Sequence, residues 1–161
     1  MAYDFFGIPV SELNVWLIWI LPFAAAMIIP AVGKFSKLTT GRVAVAFAAM
    51  SAISAATLFP MALGAHEIHH QIMWIDAIGL KAGVLADPLS VIMSNVVGWI
   101  SFLIMCYSTG YMKGDKDITR FWFWMMFFIG SMQLIILSDN LLQVFFGWEG
   151  VGLASYALIS F

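Results

Sequence analysis

The chain has 161 residues, of which 63% are hydrophobic and 10% charged, and its formal net charge is −2. An ordinary soluble domain is about 45–50% apolar and about 25% charged, so this composition excludes that class and predicts a membrane protein. The small net charge and the scattered basic residues argue against a nucleic-acid partner.

Five apolar stretches lie between charged residues or histidines. Each can cross a bilayer, because a hydrocarbon core of about 30 Å needs about 20 apolar residues of helix. Pro88 suits the first turn of the third stretch, since proline has no amide hydrogen to donate there. Period-two alternation over about ten residues, typical of a membrane barrel, is absent. We therefore predict an all-α, polytopic bundle of about five transmembrane helices, at residues 13–33, 43–65, 89–112, 121–138 and 140–161.

The basic residues indicate how the bundle is oriented. If the helices alternate in direction, six of the seven basic residues fall on one side, after the first and third spans: Lys34, Lys37, Arg42, Lys113, Lys116 and Arg120. The positive-inside rule places this side in the cytoplasm and the N-terminus outside. We expect an integral, multi-pass protein in a prokaryotic plasma membrane, in preference to a mitochondrial inner membrane.

The segment between the second and third spans, "HEIHHQIMWIDAIGLKAGVLADP", is too long for a tight turn and too interrupted by charge to cross the membrane. Its second half has Gly79, Gly83 and period-two alternation near Lys81, which predicts a short hairpin on the outer side.

The same segment begins with "HEIHH", His66 to His70, which matches the H-E-x-x-H pattern of zinc proteases. In that pattern, two histidines on a helix bind the metal and the glutamate acts as base. The match lies where the second span ends, and the nearest further ligands are Asp76 and Asp87. We expect these histidines to lie in a solvated loop, with a zinc metalloprotease as an alternative function.

A single carboxylate, Glu149, lies inside the last predicted span, in "GWEGVG". Counted from the outer end, it lies about 12 Å deep, near the middle of the bilayer core. A central acidic residue costs about 2.5–3.5 kcal/mol to insert, so such residues usually face a protein interior or water and have partners. The other spans offer no cation. Glu149 is therefore the candidate proton-transfer residue, and the alternative is a protonated acid hydrogen-bonded to a neighbouring helix.

Small residues surround this acid. Gly150 and Ala154 have the small-xxx-small spacing that lets two helices approach closely. Gly147 and Gly152 flank the acid, and Gly152 leaves space for water beside the carboxyl group. Helix packing alone would also explain these glycines.

Two amides lie in other spans at a comparable depth. By helical rise, Asn95 and Gln133 lie about 10 and 8 Å from the outer side, so they could form a polar layer with Glu149. Alternatively, such amides simply form hydrogen bonds between helices.

Four blocks of sequence together resemble one family: "DPLS" at 87–90, "YSTGYMKGD" at 107–115, "RFWFWMMFFIGSM" at 120–132 and "SDNLLQVFFGWEGVGLASYALISF" at 138–161. They resemble the N-terminal part of the L subunit of complex I, the NADH:quinone oxidoreductase. Related antiporter-like subunits, including the large Mrp sodium/proton antiporter subunit, usually follow the tryptophan-glutamate pair differently. The "GWEGVG" of this chain favours the L type.

The resemblance implies that residues 1–161 are the N-terminal part of a larger antiporter-like domain. Glu149 matches the family's essential glutamate, whose charge is paired with a lysine two helices further on. The resemblance also implies a translocase subunit that couples electron transfer elsewhere to proton transport. Its partners would be the lipid bilayer and other membrane and hydrophilic subunits, and those subunits would hold the flavin, the iron–sulfur clusters and the quinone. We expect no cofactor, metal or redox site in this chain. A subunit of an Mrp-type sodium/proton antiporter is the alternative.

Overall fold

The computed structural model describes residues 4–5, 8–64, 67–76 and 79–161. In this part of the chain, helices account for most residues: α1 Val10–Gly33, α2 Lys37–Thr57, α3 Phe59–Leu63, α4 Pro88–Tyr111, α5 Ile118–Leu137 and α6 Leu141–Ile159. The strands form two antiparallel pairs, β1 Asp4–Phe5 with β2 Ile8–Pro9, and β3 Ile68–Ile75 with β4 Leu80–Ala86.

Within the described residues, five helical segments are long and apolar enough to cross a membrane: Glu12–Gly33, Lys37–Leu63, Pro88–Tyr111, Ile118–Leu137 and Leu141–Ile159. They confirm the predicted all-α bundle of about five transmembrane helices. Apart from the second span, the predicted limits differ from those of the helices by at most three residues at either end.

The second span differs most from its prediction, residues 43–65. Lys37 and Arg42, which were expected in a loop, belong to the first turns of α2. A long basic side chain can extend from a helix end to the polar interface, so it does not terminate the helix. At the other end, α2 stops at Thr57 and the short α3 follows, with Pro60 in its first turn. Proline cannot donate the amide hydrogen that a continuous helix would need there.

Helix α5 lies at the centre of the bundle and packs against α1, α2, α4 and α6. Helix α2 presents buried alanines at positions 44, 48, 52 and 55 to its neighbours α1 and α4. Small residues at three- or four-residue spacing allow helices in a membrane to pack closely. The core has one apolar cluster near the β3–β4 hairpin, which includes Val84 and Leu137, and a second cluster around Trp122 and Met126.

The two ends of the bundle differ in chemistry. At one end, Lys37 Nζ donates to the carbonyl oxygen of Lys116 (2.7 Å), which joins the start of α2 to the α4–α5 loop. At the other end, the β3–β4 hairpin contacts α1 and the α5–α6 loop. The two basic loops therefore lie together, as the alternating topology requires, and the hairpin lies opposite them.

Strand pairing in the hairpin extends from Ile68↔Ala86 to Ile75↔Leu80. The hairpin therefore includes both halves of the segment between the second and third spans, whereas the alternation in the sequence predicted a hairpin in the second half alone. Gly79 adopts a φ of 65° at the turn, a conformation that glycine reaches without a steric penalty.

Candidate functional site

Glu149 lies in the middle of α6, on the face of the helix that is exposed in this chain. The opposite face is buried and consists of residues three or four positions apart: Gln143, Gly147, Gly150, Ala154 and Ala157. This spacing places all of them on one side of a helix with 3.6 residues per turn. The small residues thus face the bundle, and the carboxylate faces outward.

The buried face of α6 packs directly on the backbone of α5. A Cβ atom at Gly147 would lie 3.0 Å from the carbonyl oxygen of Ser131, and one at Gly150 would collide with the Ser131 hydroxyl. Ala154 is fully buried. Gly152 differs, because a Cβ atom there would meet nothing within 4 Å. Gly152 therefore leaves open space one turn after Glu149, while the other three small residues pack between helices.

The face of α6 that carries Glu149 is otherwise apolar. It exposes the large side chains of Phe145, Phe146, Trp148, Leu153 and Tyr156. No salt bridge or side-chain hydrogen bond links Glu149 to another of the described residues. An unpartnered carboxylate on an apolar helix face is unfavourable in lipid, so this face requires contact with protein or water.

The two amides expected at a similar depth form hydrogen bonds between helices. Asn95 Nδ2 donates to the carbonyl oxygens of Ala55 on α2 and Val91 on α4, both at 2.9 Å. Gln133 on α5 is fully buried and bonds to Ser94 on α4. Ser94 and Asn95 thus connect α4 to its two neighbours. Within the described chain, no hydrogen bond joins either amide to Glu149.

The two histidines of the zinc-like motif that the structure describes lie in β3, so the expectation of a solvated loop is wrong for them. Neighbouring residues of a strand point to opposite faces. His70 Nδ1 accepts a hydrogen bond from Trp16 Nε1 (3.1 Å), whereas His69 Nε2 lies 3.1 Å from Asp139 Oδ2. His66 lies outside the described residues. The zinc pattern requires a helix, whereas His70 lies in a strand and accepts a hydrogen bond from Trp16, which argues against the protease hypothesis.

A polar cluster, formed by His69, Gln71, Asp139, Asn140 and Gln143, joins the hairpin to the α5–α6 loop. The Asp139 side chain is only 2% exposed. It accepts hydrogen bonds from Gln71 Nε2 (2.6 Å) and Asn140 Nδ2 (2.7 Å). Burial tends to raise the pKa of Asp139, but the hydrogen bonds from Gln71, His69 and Asn140 together hold this pKa below its usual range.

Gln143, in the first turn of α6, forms hydrogen bonds with both the hairpin and the α5–α6 loop. Its Oε1 atom accepts hydrogen bonds from the backbone N–H of Gly83 in β4 (2.8 Å) and from Asn140 Nδ2 (2.6 Å). Gly83 is needed here, because a Cβ atom at this position would collide with the Asp139 carboxylate. Sequence analysis missed this cluster, since its members come from two segments about 70 residues apart. Two of its members are close in the sequence, Asn140 and Gln143, and their spacing indicates the start of a helix.

Among the residues that the structure describes, no three His, Cys, Asp or Glu side chains lie close enough to share a metal ion. The polar cluster contains one carboxylate and one histidine beside neutral amides. Its chemistry is that of a structural junction that holds loops together.

Comparison with known proteins gives consistent similarities. A family model described as NADH-ubiquinone oxidoreductase (complex I), chain 5 N-terminus, matches residues 73–122. NADH-quinone oxidoreductase subunit L of Rickettsia bellii is 39% identical over 90% of this chain and 23% of that protein. The same subunit of Mycobacterium tuberculosis is 38% identical over 91% of this chain and 24% of that protein. The chloroplastic NAD(P)H-quinone oxidoreductase subunit 5 of Spinacia oleracea is 35% identical over 91% of this chain and 21% of that protein.

The chain spans about a quarter of the length of these curated relatives. Among solved structures, the Mrp complex from Dietzia sp. contains a similar fold, with a TM-score of 0.74 and 23% sequence identity. That match covers 90% of this chain and 16% of the other. These similarities confirm the resemblance that the sequence blocks indicated.

Proposed function

Because the chain belongs to the family of NADH-quinone oxidoreductase subunit L, we propose that it is the N-terminal part of a proton-translocating membrane subunit in which Glu149 carries protons. One observation supports this role most directly. Glu149 is an acid in mid-span, on an exposed apolar face of α6, with an open position beside it at Gly152.

The proposed mechanism uses the electrostatic environment of this carboxylate. A cation that approaches Glu149 favours its ionised form, so the proton is released. When the cation withdraws, the desolvated carboxyl group favours proton uptake. The cation would come from polypeptide that covers the exposed face of α6, and a lysine further along the subunit fits the family resemblance. The space beside Gly152 would admit the water through which the proton moves.

The redox chemistry would take place in partner subunits that hold the flavin, the iron–sulfur clusters and the quinone. In this arrangement, later parts of the same subunit cover the exposed face of α6, and the rest of the bundle contacts the lipid bilayer and other membrane subunits. The end with the basic loops would face the cytoplasm, and the N-terminus and the β3–β4 hairpin would lie outside.

Glu149→Gln in the full-length subunit, within its assembled complex, tests the proposal. Glutamine keeps the shape of the side chain but cannot take up or release a proton. We expect the variant to lose proton translocation coupled to electron transfer, measured as protons moved per electron in sealed vesicles. Glu67→Gln is the matched control, because Glu67 is exposed and lies outside the spans. Normal proton translocation per electron by Glu149→Gln would refute the assigned role.

The second candidate is a sodium/proton antiporter subunit with no redox partner, which the fold of the Mrp complex structure supports. Two observations separate the candidates. Neighbouring genes for hydrophilic redox subunits favour the first, and a run of small antiporter genes favours the second. In vesicles, a sodium gradient that drives proton movement without any electron donor would favour the antiporter.

A further inference from the structure

A second polar region lies at the end of the bundle opposite the hairpin. There the start of α2, the end of α4 and the α4–α5 loop enclose a cleft of about 780 Å³. Its charged lining consists of four cations and one carboxylate: Lys37, Arg42, Lys113, Lys116 and Asp115. We refer to this region as the basic cleft.

In the part of the chain that the structure describes, one carboxylate, that of Asp115, faces the four cations in the lining of the basic cleft. Among the described residues, the salt bridges involve histidines, and none pairs a lysine or arginine with a carboxylate. Asp115, the acid within the lining, accepts a hydrogen bond from the backbone N–H of Asp117 (2.7 Å). Four cations around a common space repel one another unless an anion joins them. The cleft thus presents a net charge that favours an anionic ligand.

Trp122 provides an independent observation. Its ring lines the basic cleft and is only 1% exposed, yet its Nε1–H has no hydrogen-bond partner among the described residues. Buried donors in proteins are nearly always paired. The ring lies against Gly41, where a Cβ atom would be 3.2 Å from Nε1, so a larger residue would crowd this edge. An oxygen atom of a ligand in the cleft would satisfy the donor.

The start of α2 adds further donors to the same region. Ser36 precedes α2 in an extended conformation, and its side chain makes no capping hydrogen bond. The first backbone N–H groups of a helix have no partner within the helix, and they attract anions. Lys37, the first residue of α2, lines the cleft.

The basic cleft also has an apolar part, formed by side chains at the ends of the helices that can cross a membrane. Leu38 lines the cleft and is 68% exposed. Phe35 and Tyr111, at neighbouring ends of the spans, are also exposed. We propose that the basic cleft binds the phosphate-bearing headgroup of an anionic phospholipid, whose acyl chains lie along these apolar side chains. Clefts of this composition at the cytoplasmic ends of transmembrane helices suit anionic headgroups.

The test uses the full-length protein that carries this chain, purified in a neutral detergent. Native mass spectrometry would compare binding of phosphatidylglycerol with that of phosphatidylcholine, and inorganic phosphate would be added as a competitor. We expect preferential binding of phosphatidylglycerol, which the double variant R42Q/K113Q should weaken about thirty-fold. The matched control is K34Q/K81Q, since both lysines are exposed and lie outside the cleft. The control should bind as the unmodified protein does.

The buried donor is tested separately by Trp122→Phe, which keeps an aromatic ring and removes the N–H group. We expect the affinity for phosphatidylglycerol to fall about ten-fold, with no change for phosphatidylcholine. If the variant is unstable, the surface variant R42Q/K113Q still decides the question. Three outcomes would overturn the proposal: equal binding of the two lipids, a loss of affinity in K34Q/K81Q equal to that in R42Q/K113Q, or full competition by inorganic phosphate. Lipid binding is measured without proton transport, so the outcome is independent of the role of Glu149.

Discussion

Gln133 and Ser94 exchange two hydrogen bonds across the interface between α5 and α4. Ser94 Oγ donates to Gln133 Oε1 at 2.6 Å, and Gln133 Nε2 donates to the carbonyl oxygen of Ser94 at 3.0 Å. Both side chains are buried. Gly98, one turn after Ser94, allows α4 to approach α2 closely, since a Cβ atom there would lie 3.3 Å from Ala52 Cα.

This relationship predicts a structural role for the buried amide. Gln133→Leu removes both bonds, and hydrogen bonds between helices in membranes contribute on average about 0.6 kcal/mol and at most about 1.7 kcal/mol each. We therefore expect the variant to lose about 1 kcal/mol of stability, measured by unfolding in detergent mixtures. Asn95→Leu should behave similarly. Proton uptake should be unchanged in both variants, and a loss of uptake in stable protein would instead place these amides on a proton route.

The glycines of α6 allow a comparison within one helix. Gly150→Val should force α5 and α6 apart, because Gly150 contacts Ser131 directly. Overpacking of this kind costs about 1–3 kcal/mol. Gly152→Val is the matched control, since the position is open, and it should leave the stability of the helix pair unchanged. The measurement is the fraction of disulfide cross-link formed between cysteines introduced on α5 and α6. Equal cross-linking in both variants would contradict the described packing.

The polar cluster predicts a pH dependence of stability. The pKa of Asp139 is lowered in the folded protein. The ionised carboxylate therefore contributes to the free energy of unfolding at pH values above the pKa that Asp139 has in the unfolded chain. That contribution is lost as the pH falls through the folded pKa, below about 4. We expect the free energy of unfolding to decrease over this acidic window, and Asp139→Asn to be less stable at neutral pH with a smaller acid-induced loss. Asp76→Asn, on an exposed residue of the hairpin, serves as the control.

The start of α4 depends on a reciprocal cap. Ser90 N donates to Asp87 Oδ1 (2.7 Å), and Asp87 N donates to Ser90 Oγ (2.8 Å). The hydrogen bond from the Ser90 backbone is the main cause of a lowered pKa at Asp87. Asp87→Ala should cost about 1 kcal/mol, whereas Asp87→Asn should cost less, since asparagine also caps helices well. Calorimetry or denaturant unfolding distinguishes the two variants, and equal losses would argue against capping by the side-chain oxygen.

Much of the bundle follows from local sequence. The length of an apolar stretch decides whether it can cross a bilayer, so the five spans were predictable without tertiary information. The same holds for Gly150 and Ala154, whose spacing predicted a close helix contact, and α6 packs on α5 through these residues. The position of Glu149 in mid-span follows directly from counting residues.

Other features depend on contacts between distant segments and could not be predicted from the sequence. The carboxylate of Asp139 is buried by hairpin residues from positions far earlier in the chain, and no local pattern indicates that partnership. The outward orientation of Glu149 depends on which face of α6 meets α5. A span limited by charged residues begins at residue 43, whereas α2 begins at Lys37, because the ends of a helix tolerate charged side chains.

The hydrogen bond between Gly83 and Gln143 has a mechanical consequence for the site. It connects the first turn of α6 to the β3–β4 hairpin, which lies outside the spans. Glu149 follows Gln143 by six residues, which is about 9 Å along the helix axis. A slip of α6 by one turn would displace the carboxylate by about 5.4 Å and would break this tie. The hairpin therefore fixes the position of the Glu149 carboxylate along the helix axis, so sequence changes in the hairpin would alter the distance between this carboxylate and the groups that face it.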